Sequence, residues 1–205
     1  MSDISPQLVR ELRDKTNAGM MDCKRALAEA GGDLAKAEDL LRAKGIASAG
    51  KNASRSAKEG IVASYIHLQG KVGVLVEVNC ETDFVAKNDN FREFVKDITL
   101  HIAAANPTCV SRKQVDPSEI ERERAIYRQQ VEGKPANIVE KIVEGKVDKF
   151  YGTICLMEQP FIKNPDVSIA DLVKSKITEL GENIVIRRFT RYMVGEGVTD
   201  EPAAE

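Results

Sequence analysis

The run VGVLVEVNC, from Val72 to Cys80, sets Val72, Val74, Val76, Val78 and Cys80 in strict alternation. In an extended chain those five side chains point one way, so the segment predicts a strand with one face covered. Downstream, Phe91, Phe94, Val95, Ile98 and Ile102 recur at the spacing of an amphipathic helix from about Asp89 to Ala105. That stripe supplies a cover. Upstream, Ile61 to Leu68 is a second β-rich run, joined to the first through Gln69-Gly70-Lys71. Glycine there is available for a positive φ, and the two runs predict an antiparallel hairpin. Ile184 to Val194, rich in β-branched and aromatic residues, predicts a further strand of the same sheet.

Helices surround this sheet in the sequence. Ser5-Pro6 reads as a cap followed by proline in the first turn, with Leu8, Val9 and Leu12 on one face. A second helix spans about Met21 to Ala30 and stops at Gly31-Gly32. Asp33 caps a third, whose stripe of Leu34, Ala37, Leu40 and Leu41 runs up to Gly45. Residues 1–45 are thus expected as a three-helix module. Residues 46–59, rich in Ala, Ser, Gly and Lys, are expected as a linker, in part helical. Residues 60–194 form the core, and 195–205 an acidic, disordered tail. Within the core, Asp116-Pro117-Ser118-Glu119 resembles a capping box and starts a helix that ends near Gly133. Pro135 opens the next, and Ser168-x-x-Asp171 caps one that ends at Gly181, while Ile154 to Ile162 is ambiguous. The fold class is α+β: a helical module, then a small antiparallel sheet packed with helices.

Charge narrows the function. Thirty Lys and Arg face 32 acids, a net charge of −2, so there is no general attraction to nucleic acid or to an anionic membrane. The longest run without a charge, Ile98 to Ser111, contains Pro107 and has 14 residues, short of the roughly 20 a spanning helix needs. The first residues lack the apolar core of a secretory signal, which places the expected location in the cytoplasm. Cys23, Cys80, Cys109 and Cys155 are scattered, without C-x-x-C spacing and with only two histidines to help. They read as reduced, mostly buried thiols with no metal role.

The phosphate-binding and catalytic signatures are missing: no G-x-x-x-x-G-K-[ST], G-x-G-x-x-G after a strand, H-E-x-x-H or G-x-S-x-G occurs. Cys80 with His67 or His101 fails as a nucleophile and base, because Cys80 belongs to the inward face, where desolvation raises a thiol's pKa. Glu81 and Asp83 lack a pocket for acid/base work. Arg187, Arg188 and Arg191, flanked only by Phe189 and Tyr192, read as a solvated or partner-facing strand surface. The chain is therefore expected to be no enzyme, to hold no cofactor and to bind no nucleic acid directly.

One pair is out of place. Asp83-Phe84 puts a large ring in the polar link NCETDFVAKND, between a strand that ends at Cys80 and a helix that starts near Asp89. Spacing allows Phe84 to fold back as a staple on that helix, or to stand out as a wedge offered to another protein, its neighbouring carboxylate fixing the orientation.

TDFVAKN at Thr82 to Asn88, TNAGMMDCKRAL at Thr16 to Leu27 and LGENIVIRRF at Leu180 to Phe189 closely resemble motifs of the bacterial elongation factor Ts family, in the family's order. The resemblance covers essentially everything before the tail. It implies a guanine-nucleotide exchange factor for elongation factor Tu that binds the GDP complex and the nucleotide-free GTPase. By this similarity the first helices resemble a ubiquitin-associated-type docking module, with Leu12, Met20 and Met21 as contacts. Packing within their own helices is the other reading of the methionines. Thr82, Asp83, Phe84 and Val85 match the segment that enters the partner near its magnesium and phosphate site. His67 and Leu180-Gly181 match further contact motifs, although a hairpin histidine and a helix C-cap would explain them equally. The chain departs from longer family members in having a single core module and no helical-hairpin insertion, and short forms associate as homodimers. The alternative function is a helical interaction module without exchange activity.

Overall fold

A computed structural model of the chain describes residues 4–197 apart from 17, 53, 132 and 134, and for 45–52, 136 and 137 the backbone alone. The chain divides into two compact units. One holds the residues up to Gly60 together with Asn79–Arg92 and Ala170–Val185; the other holds Ile61–Val78, Glu93–Ile169 and the residues from Ile186 onward.

The first unit opens with α1 (Pro6–Thr16), α2 (Met20–Glu29) and α3 (Leu34–Asn52). Ser5 and Asp33 cap as expected: Ser5 Oγ accepts from the Leu8 N–H at 3.2 Å, and Asp33 Oδ1 from the Lys36 N–H at 3.1 Å. Val9, Leu12, Cys23, Ala26, Leu27, Ala37 and Leu41 form one buried cluster across the three helices. The third helix does not stop at Gly45 but continues to Asn52, through Ala47 and Ala49 and past Gly50. The same unit contains α4 (Asp83–Ala86), a single turn, and most of α8 (Ile169–Leu180). Of the tail expected at 195–205, residues 198–205 lie outside the described residues.

The second unit holds nearly all of the sheet, in which β2 (Val72–Cys80) lies between β1 (Glu59–His67) and β5 (Val185–Met193). The antiparallel sheet is packed with helices, as the α+β reading requires. Val72, Val74, Val76, Val78 and Cys80 are all buried. So are Phe91, Phe94, Val95, Ile98 and Ile102 of α5 (Asp89–Ala105), whose bounds match the predicted ones. The turn between β1 and β2 uses more than its glycine: Leu68, Gln69 and Gly70 all have positive φ.

Pro117–Gln130 (α6) and Ala136–Ile154 (α7) pack on one another. Ile120, Val131, Val143 and Val147 are buried between them, flanked by Tyr127, Val139, Ile142 and Phe150. Arg128 is paired with Glu140 along their exposed side. The chain therefore does contain a helical hairpin, a correction to the expectation that it lacks one. Two apolar stripes joined by a short link bury each other, a pairing that periodicity within either helix cannot show. The ambiguous stretch before Ile162 resolves into the end of α7, a short turn and β3 (Pro160–Phe161), which pairs antiparallel with β4 (Asn164–Ser168). Two residues are too few to show a period, so only the partner strand defines β3.

Candidate partner-binding site

The link after β2 is held from below by one carboxylate. Glu182 Oε2 accepts the N–H groups of Glu81 and Thr82, each at 3.0 Å, and Glu182 Oε1 accepts the Thr82 hydroxyl at 2.6 Å. Thr82 caps α4, its Oγ1 accepting from the Val85 N–H at 3.4 Å. Glu81 is used in the return direction, its Oε1 accepting the Asn183 N–H at 2.6 Å with the Arg55 guanidinium 3.6 Å away. The buried Asn183 side chain donates to the Arg55 carbonyl at 2.7 Å. Two segments a hundred residues apart in sequence are thus cross-braced by charge-assisted hydrogen bonds, the stronger kind.

Gly181 makes this geometry possible. Its φ of +74° ends α8 in the left-handed region, where glycine carries no side-chain penalty. The chain then turns directly into Glu182 and Asn183, the residues that grip the link.

On this support α4 presents its side chains unequally. Ala86 is buried and Val85 half-buried, whereas Phe84 is 81 % exposed. The staple reading of Phe84 is excluded by that exposure. Asp83 is exposed and joined to Lys87 at 2.7 Å, one helical turn on, and this contact holds its carboxyl below the usual carboxylate value. Asp83 is therefore an anion beside an outward-facing ring.

Beneath the turn, Cys80 Sγ donates to the Thr82 carbonyl at 3.1 Å. Burial, reinforced by the Glu182 charge, pushes its thiol up to about 11. Cys80 is a neutral structural donor, unsuited to nucleophilic work. Glu81 and Asp83 point to different partners and form no acid/base pair. Among the described residues no cluster of three or more His, Cys, Asp or Glu could hold a metal ion, and no helix is long and apolar enough to cross a membrane.

The other expected contacts fall in different places. Met20 and Met21 are exposed at the start of α2, at 46 % and 66 %. Leu12 is wholly buried in the core of the three helices and presents no surface, which corrects its expected place among the contacts. Leu180 is half-buried and Gly181 exposed, just ahead of Glu182. His67 belongs to the other unit, exposed at the end of β1, stacked on Tyr65 and hydrogen-bonded to its hydroxyl at 2.8 Å. Of the basic cluster, Arg188 is paired with Glu77 and Arg191 with Glu196. Sequence reasoning misses Glu182, Asn183 and Arg55. The available signal was the acid directly after the helix-ending glycine in LGEN.

Comparison with known proteins shows the family. Residues 47–196 match the family model described as elongation factor TS. The chain belongs to the elongation factor Ts family. It is similar to elongation factor Ts of Alkaliphilus oremlandii (strain OhILAs), 59 % identical over 198 residues covering 96 % of this chain and 91 % of that one. Elongation factor Ts of Carboxydothermus hydrogenoformans is 58 % identical over 95 % of this chain and 91 % of its own. Elongation factor Ts of Desulforamulus reducens is 54 % identical over 100 % and 97 %. The stretch matched in that relative includes all three motifs and Glu182.

Proposed function

We propose that this protein is a guanine-nucleotide exchange factor for elongation factor Tu, acting in the cytoplasm as an accessory to translation with no active site of its own. The observation that carries the reading is Phe84: a large ring, mostly exposed, on a helical turn that Glu182 and Thr82 hold rigid. A ring so held loses little conformational freedom on insertion into a partner. Asp83 and Phe84, with Thr82 and Val85, enter the GTPase near its magnesium and phosphate site. Displacing the helices there disturbs Mg²⁺ coordination, and with it much of what retains GDP. The nucleotide-free GTPase is then stabilised until GTP binds.

Phe84 cannot do this alone. A thousandfold faster release requires roughly 4 kcal/mol of differential stabilisation, whereas burying one Phe yields about 1.5–3 kcal/mol. Linkage demands the same breadth, since whatever weakens GDP binding is itself weakened by GDP to the same extent. Residues 1–45 act as a ubiquitin-associated-like docking module through the exposed Met20 and Met21, and His67 and Leu180-Gly181 add contacts.

The protein acts as a homodimer through the open face of its sheet. Opposite the buried valines, β2 presents Leu75 and Glu77; Arg188 reaches Glu77 at 2.7 Å, and Ile66 Cδ1 lies 3.4 Å from where a Cβ on Gly73 would stand. Ile66, Leu75 and Tyr192 are all more than half exposed on that side, an apolar area that a second copy would bury.

The deciding experiment is stopped-flow release of fluorescent GDP from the cognate elongation factor Tu, with the wild type and with Phe84→Ala. Strong acceleration that falls about 10- to 100-fold in the variant is expected. No acceleration by wild type at concentrations where binding is shown would leave a helical docking module without exchange activity.

A further inference from the structure

Cys109 and Cys155, far apart in the sequence, meet in the second unit with their sulfurs 3.5 Å apart. The surrounding backbone already joins the two segments. The Thr108 and Cys109 N–H groups donate to the Ile154 carbonyl, at 2.9 and 3.3 Å. The Leu156 N–H donates to the Cys109 carbonyl and the Met157 N–H to that of Val110, at 2.9 and 3.0 Å. Cys109 and Cys155 face one another as partners in a parallel β-bridge. Neighbouring strands lie about 4.7–4.9 Å apart, and a disulfide needs a Cα separation of about 4.4–6.8 Å. A bridge of that spacing lies within the range an S–S bond spans, and the two sulfurs already face each other.

We propose that Cys109 and Cys155 form a reversible intramolecular disulfide, making this pair a redox modification site on a protein otherwise built of reduced thiols. The two sulfurs have unequal roles. Cys109 is partly exposed and is the one an oxidant reaches; Cys155 is buried. Burial and the adjacent Cys109 push the Cys155 thiol up to about 12, so it stays a thiol until Cys109 is oxidised beside it.

With hydrogen peroxide, Cys109 gives up its proton and its sulfur attacks one oxygen; the O–O bond breaks, a sulfenic acid forms, and the departing hydroxide takes that proton as water. Cys155 then attacks the sulfenic sulfur. The S–S bond forms as the S–O bond breaks, and the departing hydroxide takes the Cys155 proton as water. Two thiols lose two electrons and the peroxide is reduced to two waters. A dithiol reductant reverses the bond by exchange. The disulfide closes a loop over a separation of 46 residues that holds both α6 and α7, tying the base of the helical hairpin.

The test treats the native protein with stoichiometric hydrogen peroxide, followed by alkylation and peptide mapping by mass spectrometry. The expected product is a Cys109–Cys155 cross-link, lighter by two hydrogens, restored by dithiothreitol, with a melting temperature raised by about 5–10 °C. In Cys155→Ser, oxidation stops at a Cys109 sulfenic acid that dimedone traps. In Cys109→Ser, Cys155 stays a thiol. Two results would overturn the proposal: both thiols remaining free in the native protein under conditions that oxidise the urea-unfolded chain, or Cys109 forming only disulfides between chains. The wild-type peptide map decides this even where Cys155→Ser fails to fold.

Discussion

Glu182 binds Thr82 at two points, through the backbone N–H at 3.0 Å and the hydroxyl at 2.6 Å, and so sets the angle at which Phe84 leaves the surface. Glu182→Gln keeps the shape but loses the charge, and an amide nitrogen must then face one of the donors. Hydrogen bonds to charged groups contribute about 1.5–3 kcal/mol each, and the half-buried setting places the loss at the low end. A shift of about 1–2 kcal/mol in urea unfolding is expected, together with slower GDP release. Unchanged release beside a clear loss of stability would separate the support from the wedge.

Phe84→Ala is the complementary case. With its ring 81 % exposed, its removal should alter stability by no more than about 0.5 kcal/mol. Calorimetry that finds the variant markedly less stable would show that the ring packs in solution, contrary to its place here.

Leu12 and Met21 lie close in sequence but differ in burial. Leu12→Ala opens a cavity in the core of the three helices and should cost about 2–5 kcal/mol. Met21→Ala should leave the melting temperature nearly unchanged while weakening the complex with elongation factor Tu, as measured by titration calorimetry. A destabilised Met21→Ala would return that residue to the module's own packing.

Acid should weaken the second unit through His101. Its Nδ1 accepts the Ile162 N–H at 3.3 Å, so the ring proton sits on Nε2 and is donated to Gln159 Oε1 at 2.9 Å; Gln159 in turn donates to the Thr153 carbonyl at 2.6 Å. Burial lowers its pKa from the ordinary 6.5, with the Gln159 contact opposing. The unfolded chain therefore takes up this proton first. The contribution to stability is complete above about pH 6.5 and declines as the pH falls through the folded value. His101→Asn should be less stable at neutral pH but show a flatter dependence of melting temperature on pH below it. Parallel profiles for the two proteins would remove His101 as the cause.

Leu75 tests the sheet face. Leu75→Glu sets a charge between Ile66 and Tyr192, where a second copy would have to bury it. Sedimentation should show a dimer for the wild type and a monomer for the variant, with the circular dichroism unchanged. A monomeric wild type would count against the homodimer.

Short-range order was legible in the sequence. The alternation from Val72 to Cys80, the stripe on α5, the Ser5 and Asp33 caps and the glycine at 181 each express a preference decided within a few residues, and each stands where it was expected. The Asp83-Phe84 pair could be singled out because a ring in a polar link violates those same local rules. What lay beyond reach required partners distant in sequence. The packing of α6 on α7, the pairing of the two-residue β3 with β4 and the meeting of Cys109 with Cys155 have no local signature. The grip of Glu182 on Thr82 is the same kind of fact. A carboxylate's hydrogen-bonding capacity is written in its residue type, but which N–H groups it meets is decided only when the chain, folded over a hundred residues, brings them within 3 Å.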